Sequence, residues 1–337
     1  MVSAFQVFRY RAANSLLKLF IALQPKVKPM LLLGQASARQ LCQAIARFGH
    51  RKVLIVTDKP LVDLGMIAPL EEALNQLGVE VTVFDQVEPD PTDIIIRKGE
   101  ALARSCQADA VLAIGGGSSI DAGKVVAVAA AGLEPLEGNG LVKGLGLPLY
   151  ALPTTSGTGS EATVAAVVTD SANQTKRGMG GPGFAPVAAA LDPLLMEKLP
   201  PSITAATGMD ALTHAIEAFI SHWHAPESDR YALASAKLIF DNMPRAFAQG
   251  DDLDAREGMA IGAAYGGFAI NSAMVGYTHA IAHQLGARYH LPHGLVNAVL
   301  LPHVLEYSKQ AAAGRLAELA RFVGLGNAGD SEAQLAD

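Results

Sequence analysis

Ala110-Val-Leu-Ala-Ile-Gly-Gly-Gly-Ser-Ser-Ile-Asp-Ala-Gly-Lys124 decides the fold. An apolar run of strand length, Ala110 to Ile114, enters three glycines and then a helical pattern from Ile120 to Ala131. In doubly wound folds a strand-to-helix turn of this kind holds phosphate. N–H groups at the helix N-terminus face the anion, and glycine lets it approach. The spacing is not GxGxxG, because Ile120 takes the third glycine's place. It is not a Walker A loop either, because Val125 follows Gly123-Lys124. On this stretch alone a phosphate cradle and a simple tight turn both stay open.

Strands and helices alternate around this turn. Lys52 to Thr57, Val79 to Phe84 and Pro148 to Leu152 read as strands. Leu61 to Leu77, stopped by Gly78, and Pro91 to Cys106 read as helices. Strands separated by helices imply parallel pairing and a doubly wound sheet. Beyond Pro200-Pro201 the strand-like runs disappear. Thr204 to Ser221, Ser228 to Gln249, Asp254 to Asn271 and Tyr277 to Gly286 are helical. The expected architecture is α/β plus all-α: a doubly wound parallel-sheet dinucleotide-binding domain at 29–199, then an all-helical domain at 200–337. Residues 1–28 form a basic N-terminal extension. The last stretch, Ser331 to Asp337, reads as a helix start, so the helical domain is expected to be C-terminally incomplete.

Composition bounds the function. Half of the 337 residues are hydrophobic and 17% are charged, which excludes disorder as the main state. Two cysteines exclude a disulfide scaffold and a four-thiolate zinc module. A net charge of −6 argues against a general nucleic-acid binder. Residues 1–57 carry nine Lys plus Arg and no acid, and eight of nine histidines lie between His214 and His303. The basic N-terminus has no cleavage-site pattern, and Lys18 interrupts its apolar run. It is either a helix lying on an anionic membrane surface or an extension packed on the fold. Gly258 to Ala287 lacks Asp, Glu, Lys and Arg and has glycines at small-xxx-small spacing, yet it carries Asn271, His279 and His283. A buried, closely packed helix is expected there, with no transmembrane segment and a cytoplasmic location.

Three further features carry chemistry. Pro153-Thr-Thr-Ser-Gly-Thr-Gly-Ser-Glu161 stacks hydroxyls at a strand end, where a ligand cleft is expected, although hydroxyl-rich turns are also common. Asp58 follows the first of these strands. It is either a ribose-binding acid, which favours NAD over NADP, or a helix N-cap. Asp210 and His214 share a helix face, as do His279 and His283, and His293 follows on a turn. One carboxylate with two or three imidazoles suits Fe(II), Zn(II), Mn(II) or Ni(II). His50, His222, His224, His290 and His303 read as structural or surface residues.

Six stretches in order resemble the iron-containing (group III) alcohol dehydrogenase family. They are Val56–Lys59, Gly115–Asp121, Pro153–Glu161, Leu191–Pro193, Gly208–Glu217, and His279–Gly286 with Pro292–Gly294. The resemblance runs from about Pro29 to Gly324 and implies a dehydroquinate synthase-like fold. It further implies an NAD(H)-linked oxidoreductase with Fe(II), or Zn(II), held by Asp210, His214, His279 and His293. His283 corresponds to a proton relay beside metal and nicotinamide. Asp58 and Asp90 match adenosine-side contacts, and Gly116, Gly117, Ser118 and Asp121 the pyrophosphate turn. Thr154, Thr155, Thr158, Thr163 and Lys176 stand where relatives touch the cofactor. A homodimer or larger assembly is also implied. Ala165, Ala166 and Ile270 depart from bulkier, polar or aromatic residues in relatives, so a roomier, more apolar pocket is expected.

The expected reaction is hydride transfer between a metal-bound primary or secondary alcohol and nicotinamide C4, run as alcohol dehydrogenase or aldehyde reductase. The alternative is a NAD- and metal-dependent cyclase or lyase of the same superfamily. The scarcity of Lys and Arg between Asp210 and Leu301 counts against the substrate phosphate such enzymes grip. A non-catalytic membrane-surface role for the N-terminus is a third reading.

Overall fold

The structure is a computed structural model. It describes residues 27–337 except 138, 139, 174, 290, 328 and 337, together with 6, 9, 10, 12, 14, 15 and 18. Most of the basic extension at 1–28 therefore lies outside the described residues. Two of its described side chains, Lys18 and Lys28, reach the helical half. Lys18 Nζ donates to the His222 carbonyl at 2.9 Å, and Lys28 Nζ meets Glu227 Oε1 at 2.5 Å and the Tyr231 hydroxyl at 3.1 Å.

Six strands form one parallel sheet: β1 (Met30–Leu33), β2 (Lys52–Val56), β3 (Glu80–Phe84), β4 (Ala110–Gly115), β5 (Leu149–Pro153) and β8 (Ala188–Leu191). Their order is β1-β8-β5-β4-β2-β3. Between β5 and β8 lies an antiparallel hairpin of β6 (Ala165–Asp170) and β7 (Thr175–Gly180). Helices α1 (Ser37–Arg47), α2 (Lys59–Asp63) and α3 (Ala68–Gln76) connect the first strands. They are followed by α4 (Asp93–Ser105) and α5 (Gly117–Ala130). One face of the sheet buries Leu41, Cys42, Ile45, Leu70 and Leu74 of α1 and α3. The other buries Ile96, Ile120, Val125 and Val126 of α4 and α5, together with the hairpin's Ala166, Val168 and Met179. Covering both faces is what a parallel sheet requires.

Helix α5 is apolar nearly all round because it lies between sheet and hairpin. Its Gly123 explains the missing third glycine of the fingerprint. A Cβ there would stand 2.6 Å from the Cβ of Ala113 on β4. The close helix–strand approach is made, three residues later than the usual motif places it.

Two expectations are corrected here. The helix expected over 61–77 is two helices, because Gly65 adopts φ 74° between α2 and α3. Four strands were not anticipated. β1 (MLLL) and β8 (AAAL) contain no β-branched residue, so their composition gives no strand signal, and the β6–β7 hairpin is rich in charge and glycine.

The second half is helical: α6 (Pro201–Ile220), α7 (Pro226–Ala248), α8 (Leu253–Ala273), α9 (Tyr277–Tyr289), α10 (His293–Val323) and α11 (Glu332–Ala336). The sequence did not reveal α10, whose interior Pro302 masks its continuity. Helix α8 packs closely. A Cβ on Gly262 would lie 2.8 Å from the Ile239 side chain, and a Cβ on Gly208 of α6 would lie 2.7 Å from the Met243 sulfur and from the Met259 methyl. Among the described residues no single helix is long and apolar enough to cross a membrane, and α8 meets α9 at a 103° bend. Ala162, Leu191 and Met196 pack with Ala260, Ala264 and Phe268 and join the two halves.

Candidate active site

The glycine-rich turn sits at the C-terminal ends of β4 and β5, where open α/β sheets bind ligands. Gly115 takes φ 143°, a conformation that L side chains rarely adopt, and Gly116 is the N-cap of α5. The 153–161 loop faces this turn directly. A Cβ on Gly117 would lie 2.6 Å from Thr158 Cγ2, and one on Gly116 3.5 Å from Thr155 Oγ1. Thr154 N–H donates to the Gly115 carbonyl at 3.0 Å, which locks the two loops together.

Asp58, Asp90, Ser118 and Lys176 surround this turn. Both readings of Asp58 meet in one carboxylate. Its Oδ1 caps α2 by accepting from Leu61 N–H at 3.0 Å, while Oδ2 accepts from Ser119 Oγ at 3.4 Å beside the turn. The cap therefore leaves the second oxygen beside the glycine turn, 3.4 Å from where a Cβ on Gly115 would stand. Asp90 takes φ 56°, and its N–H donates to Ser118 Oγ at 3.4 Å. Its carboxylate accepts from Lys176 Nζ at 2.7 Å, which ties β7 to the loop after β3.

Asp121 and Thr163 point inward instead. Asp121 accepts from Ser160 Oγ and, at 2.8 Å, from Val167 N–H. The fully buried Lys124 ammonium donates to Thr163 Oγ1 at 2.8 Å and to the Ala165 carbonyl at 2.6 Å. Burial pushes Lys124 down to about 8 and the neighbouring Glu161 up to about 7. This network anchors the loop that carries Thr158 and Thr163.

The three residues behind the expectation of a roomier pocket sit in different surroundings. Ala166 is buried in the α/β core, and Ile270 packs against the helical core. Only Ala165 is exposed.

The second cluster comes from three helices. Asp210 and His214 lie on α6, His279 and His283 on α9, and His293 opens α10, so His293 begins a helix and is not on a free turn. Asp210, His279 and His293 each offer a donor atom, and these atoms all lie within 4.8 Å of one another. His214 stacks on His279 with ring centroids 4.4 Å apart, and His283 stacks on His293 at 5.2 Å. All five come together as the sequence anticipated.

The donor set fits a divalent cation. Asp210 Oδ1, His279 Nε2 and His293 Nε2 converge on a single group, the Asn297 amide nitrogen, at 2.7, 3.2 and 3.2 Å. The buried Nδ1 atoms of His214 and His293 have no protein partner. Burial alone would raise Asp210, but His214, His279 and His293 outweigh it and hold the carboxylate well below the usual range. Burial holds His214 and His283 near 4, so both rings are neutral and keep a free lone pair. Burial disfavours a charged His279 too, yet Asp210 and Glu217 override it and lift the ring to about 9. A site that draws a proton this strongly onto a ring between two carboxylates also draws a metal cation.

Two functional residues escaped the sequence reading. Glu217 bonds His279 Nδ1 at 2.7 Å, and Asn297 reaches three of the converging atoms. Helical spacing was the available signal. Glu217 follows His214 by three and Asp210 by seven, and Asn297 follows His293 by four, so each pair shares a face.

Residues 29–193 match the iron-containing alcohol dehydrogenase family, and residues 204–337 match the C-terminal region of the Fe-containing alcohol dehydrogenase family. The chain is 36% identical over 314 residues to the NAD-dependent methanol dehydrogenase of Bacillus methanolicus, covering 92% of this chain and 82% of that protein. It is 42% identical over 294 residues to the 1,3-propanediol dehydrogenase of Klebsiella pneumoniae, covering 84% and 74%. The solved alcohol dehydrogenase from Oenococcus oeni superposes with a TM-score of 0.89 at 35% identity, covering 93% of this chain and 83% of that one. The chain belongs to the iron-containing alcohol dehydrogenase family. Its activity is that of a metal-dependent, NAD(H)-linked alcohol/aldehyde oxidoreductase.

Proposed function

We propose that this family member interconverts small primary alcohols or diols and their aldehydes, with Asp210, His214, His279 and His293 as metal ligands. The observation that carries this reading is the convergence of Asp210, His279 and His293 in the helical half. Two relatives act, by name, on methanol and 1,3-propanediol. A divalent metal held by these residues supplies a Lewis acid that acidifies the alcohol hydroxyl.

The chain's own residues then have separate tasks. Gly116, Gly117 and Ser118 present backbone N–H groups and a hydroxyl to the dinucleotide pyrophosphate at the start of α5. Thr154, Thr155 and Thr158 close over it from the facing loop. Asp58 accepts from the adenosine ribose hydroxyls and repels a 2′-phosphate. Asp90 and Lys176 frame the cofactor from the hairpin side. Asp121 and Thr163 act from behind, through the Lys124 network. His283, neutral and stacked on His293, accepts the proton that the alcohol releases. The alcohol would thus give its hydroxyl proton to His283, and bound NAD would supply the hydride acceptor, so that the balance is an aldehyde, NADH and a proton. A homodimer or larger assembly is part of the same proposal.

The test uses protein purified without oxygen and loaded with Fe(II) or Zn(II). It is offered methanol, ethanol, 1,2- and 1,3-propanediol and longer alcohols with NAD, while NADH is followed at its absorbance band. Turnover with at least one small alcohol supports the reading. No turnover with any alcohol or aldehyde, in metal-loaded and NAD-binding protein, overturns it.

A further inference from the structure

Glu217 is 3% exposed, yet its two oxygens take three N–H donors. Oε2 accepts from Gly276 N–H at 2.7 Å and from the His279 ring at Nδ1, also at 2.7 Å. Oε1 accepts from Thr278 N–H at 2.6 Å. Gly276 and Thr278 lie at the corner where α8 turns into α9, and such helix-start N–H groups have no partner within their own helix. Just before the corner, Met274 takes φ 61°, a conformation unusual for a non-glycine residue. One carboxylate from α6 thus holds the start of α9 and the ring two residues inside it. Gly276 is part of the fit, because a Cβ there would lie 2.8 Å from Glu217 Oε1.

The chemistry of the ring follows from this contact. A carboxylate can only accept, so His279 Nδ1 carries the hydrogen. The other nitrogen, Nε2, then faces the cluster, where Asp210 Oδ1 stands 3.5 Å away, and it offers its lone pair there once a metal displaces its proton. Carboxylates placed behind metal-binding histidines orient the ring and raise its basicity.

We propose that Glu217 is the positioning residue of the metal centre. It fixes the tautomer and the direction of His279 and anchors α9, so that the ligand is already in place before metal arrives. This rests on the reading of His279 as a ligand.

The test measures Zn(II) affinity by chelator competition in wild type, Glu217→Gln and Gly276→Ala. Gly276→Ala leaves the carboxylate intact and displaces it by steric contact, so it serves if Glu217→Gln does not fold. In each folded variant the dissociation constant is expected to rise about 10- to 100-fold. In parallel, ¹⁵N NMR of the zinc-loaded protein reads the imidazole hydrogens. Wild type should show His279 protonated at Nδ1, and the variants should lose or shift that signal, whereas a purely helix-capping role would leave it unmoved. A dissociation constant within twofold of wild type in the folded variants overturns the proposal. So does an Nε2–H tautomer in the wild-type protein. His279→Ala separates the two levels. If it loses zinc while the Glu217 and Gly276 variants keep it, only the positioning role fails. If it keeps zinc at wild-type affinity, the ligand reading beneath it fails.

Discussion

Lys176 Nζ stands 2.7 Å from Asp90 Oδ1, so the β6–β7 hairpin is pinned by an ion pair to the loop that follows β3. Burial is the main cause that lowers His283 and His293, and the charges of His279 and of this ammonium add to it. Lys176 therefore links the glycine turn to the histidine cluster. Replacing Lys176 with Met leaves Asp90 unpaired beside Ser118 and adds net negative charge where a pyrophosphate is to bind. The NAD dissociation constant should rise about tenfold, equivalent to about 1.4 kcal/mol. Fluorescence titration of NADH checks this, and an unchanged constant would remove Lys176 from the cofactor site.

Asp58 offers a clean test of cofactor choice, because its two roles can be separated. Serine also caps helices well, so Asp58→Ser keeps the α2 cap and removes the charge. The ratio of kcat/KM for NADP to that for NAD should rise at least about tenfold, while thermal stability moves by under about 1 kcal/mol. An unchanged ratio assigns Asp58 to capping alone.

His279→Ala deletes a ring that faces both Asp210 and Glu217. It leaves two buried carboxylates without their shared partner, which costs about 3–5 kcal/mol in comparable buried pairs. Metal content by elemental analysis should fall to below about a tenth of the wild-type stoichiometry, and the melting temperature should drop even without metal. A metal-free variant with full turnover would sink the metal-dependent mechanism.

His283 is adjacent to the metal cluster but outside its converging donor set, so the two roles predict different losses. His283→Gln should keep metal and NAD binding and lower kcat by about 10²- to 10⁴-fold, the usual worth of a positioned acid–base group. Loss of metal on this substitution would instead make His283 a ligand.

Glu161 gives a pH prediction. Its folded pKa, about 7, exceeds the ordinary 4.5, chiefly through burial. Between those values the folded chain holds a proton that the unfolded chain has lost, so stability falls as pH rises from 4.5 to 7. Glu161→Gln removes this dependence. The stability of wild type relative to the variant should decline across that window by at most roughly 3 kcal/mol. Denaturant melts at pH 5 and pH 8 measure it, and parallel curves would place the buried proton elsewhere.

The sequence made the cofactor half legible wherever chemistry forces a pattern. The glycine turn had to follow a buried strand, and β2, β3, β4 and β5 all lie where apolar runs placed them within a residue or two. β1 and β8 escaped because four Leu- or Ala-type residues become a strand only through pairing with each other, Met30 against Ala188 to Leu33 against Leu191. The ligand histidines were visible as a family pattern. Their supports were not, because Glu217 and Asn297 gain meaning only when α9 and α10 come to rest on α6. The inward turn of Asp121 and Thr163 was equally hidden. It depends on Lys124, a residue whose type suggests the surface and whose ammonium is wholly enclosed.

The glycines of α6 and α8 carry a consequence for how this enzyme can change. At Gly208, Gly262 and Gly267 any added methyl group would collide with a neighbouring helix or loop. At Gly267 main chain rests on main chain, with the Gly159 carbonyl where a Cβ would stand, whereas the space beside Gly208, on the helix bearing Asp210 and His214, is filled by the side chains of Met243 and Met259. A larger residue at Gly208 would press on Met243 and Met259 two residues before Asp210, on the helix that carries that carboxylate. Ala165, at the start of β6, is exposed and lies outside that packed layer, so a larger residue there disturbs none of these contacts.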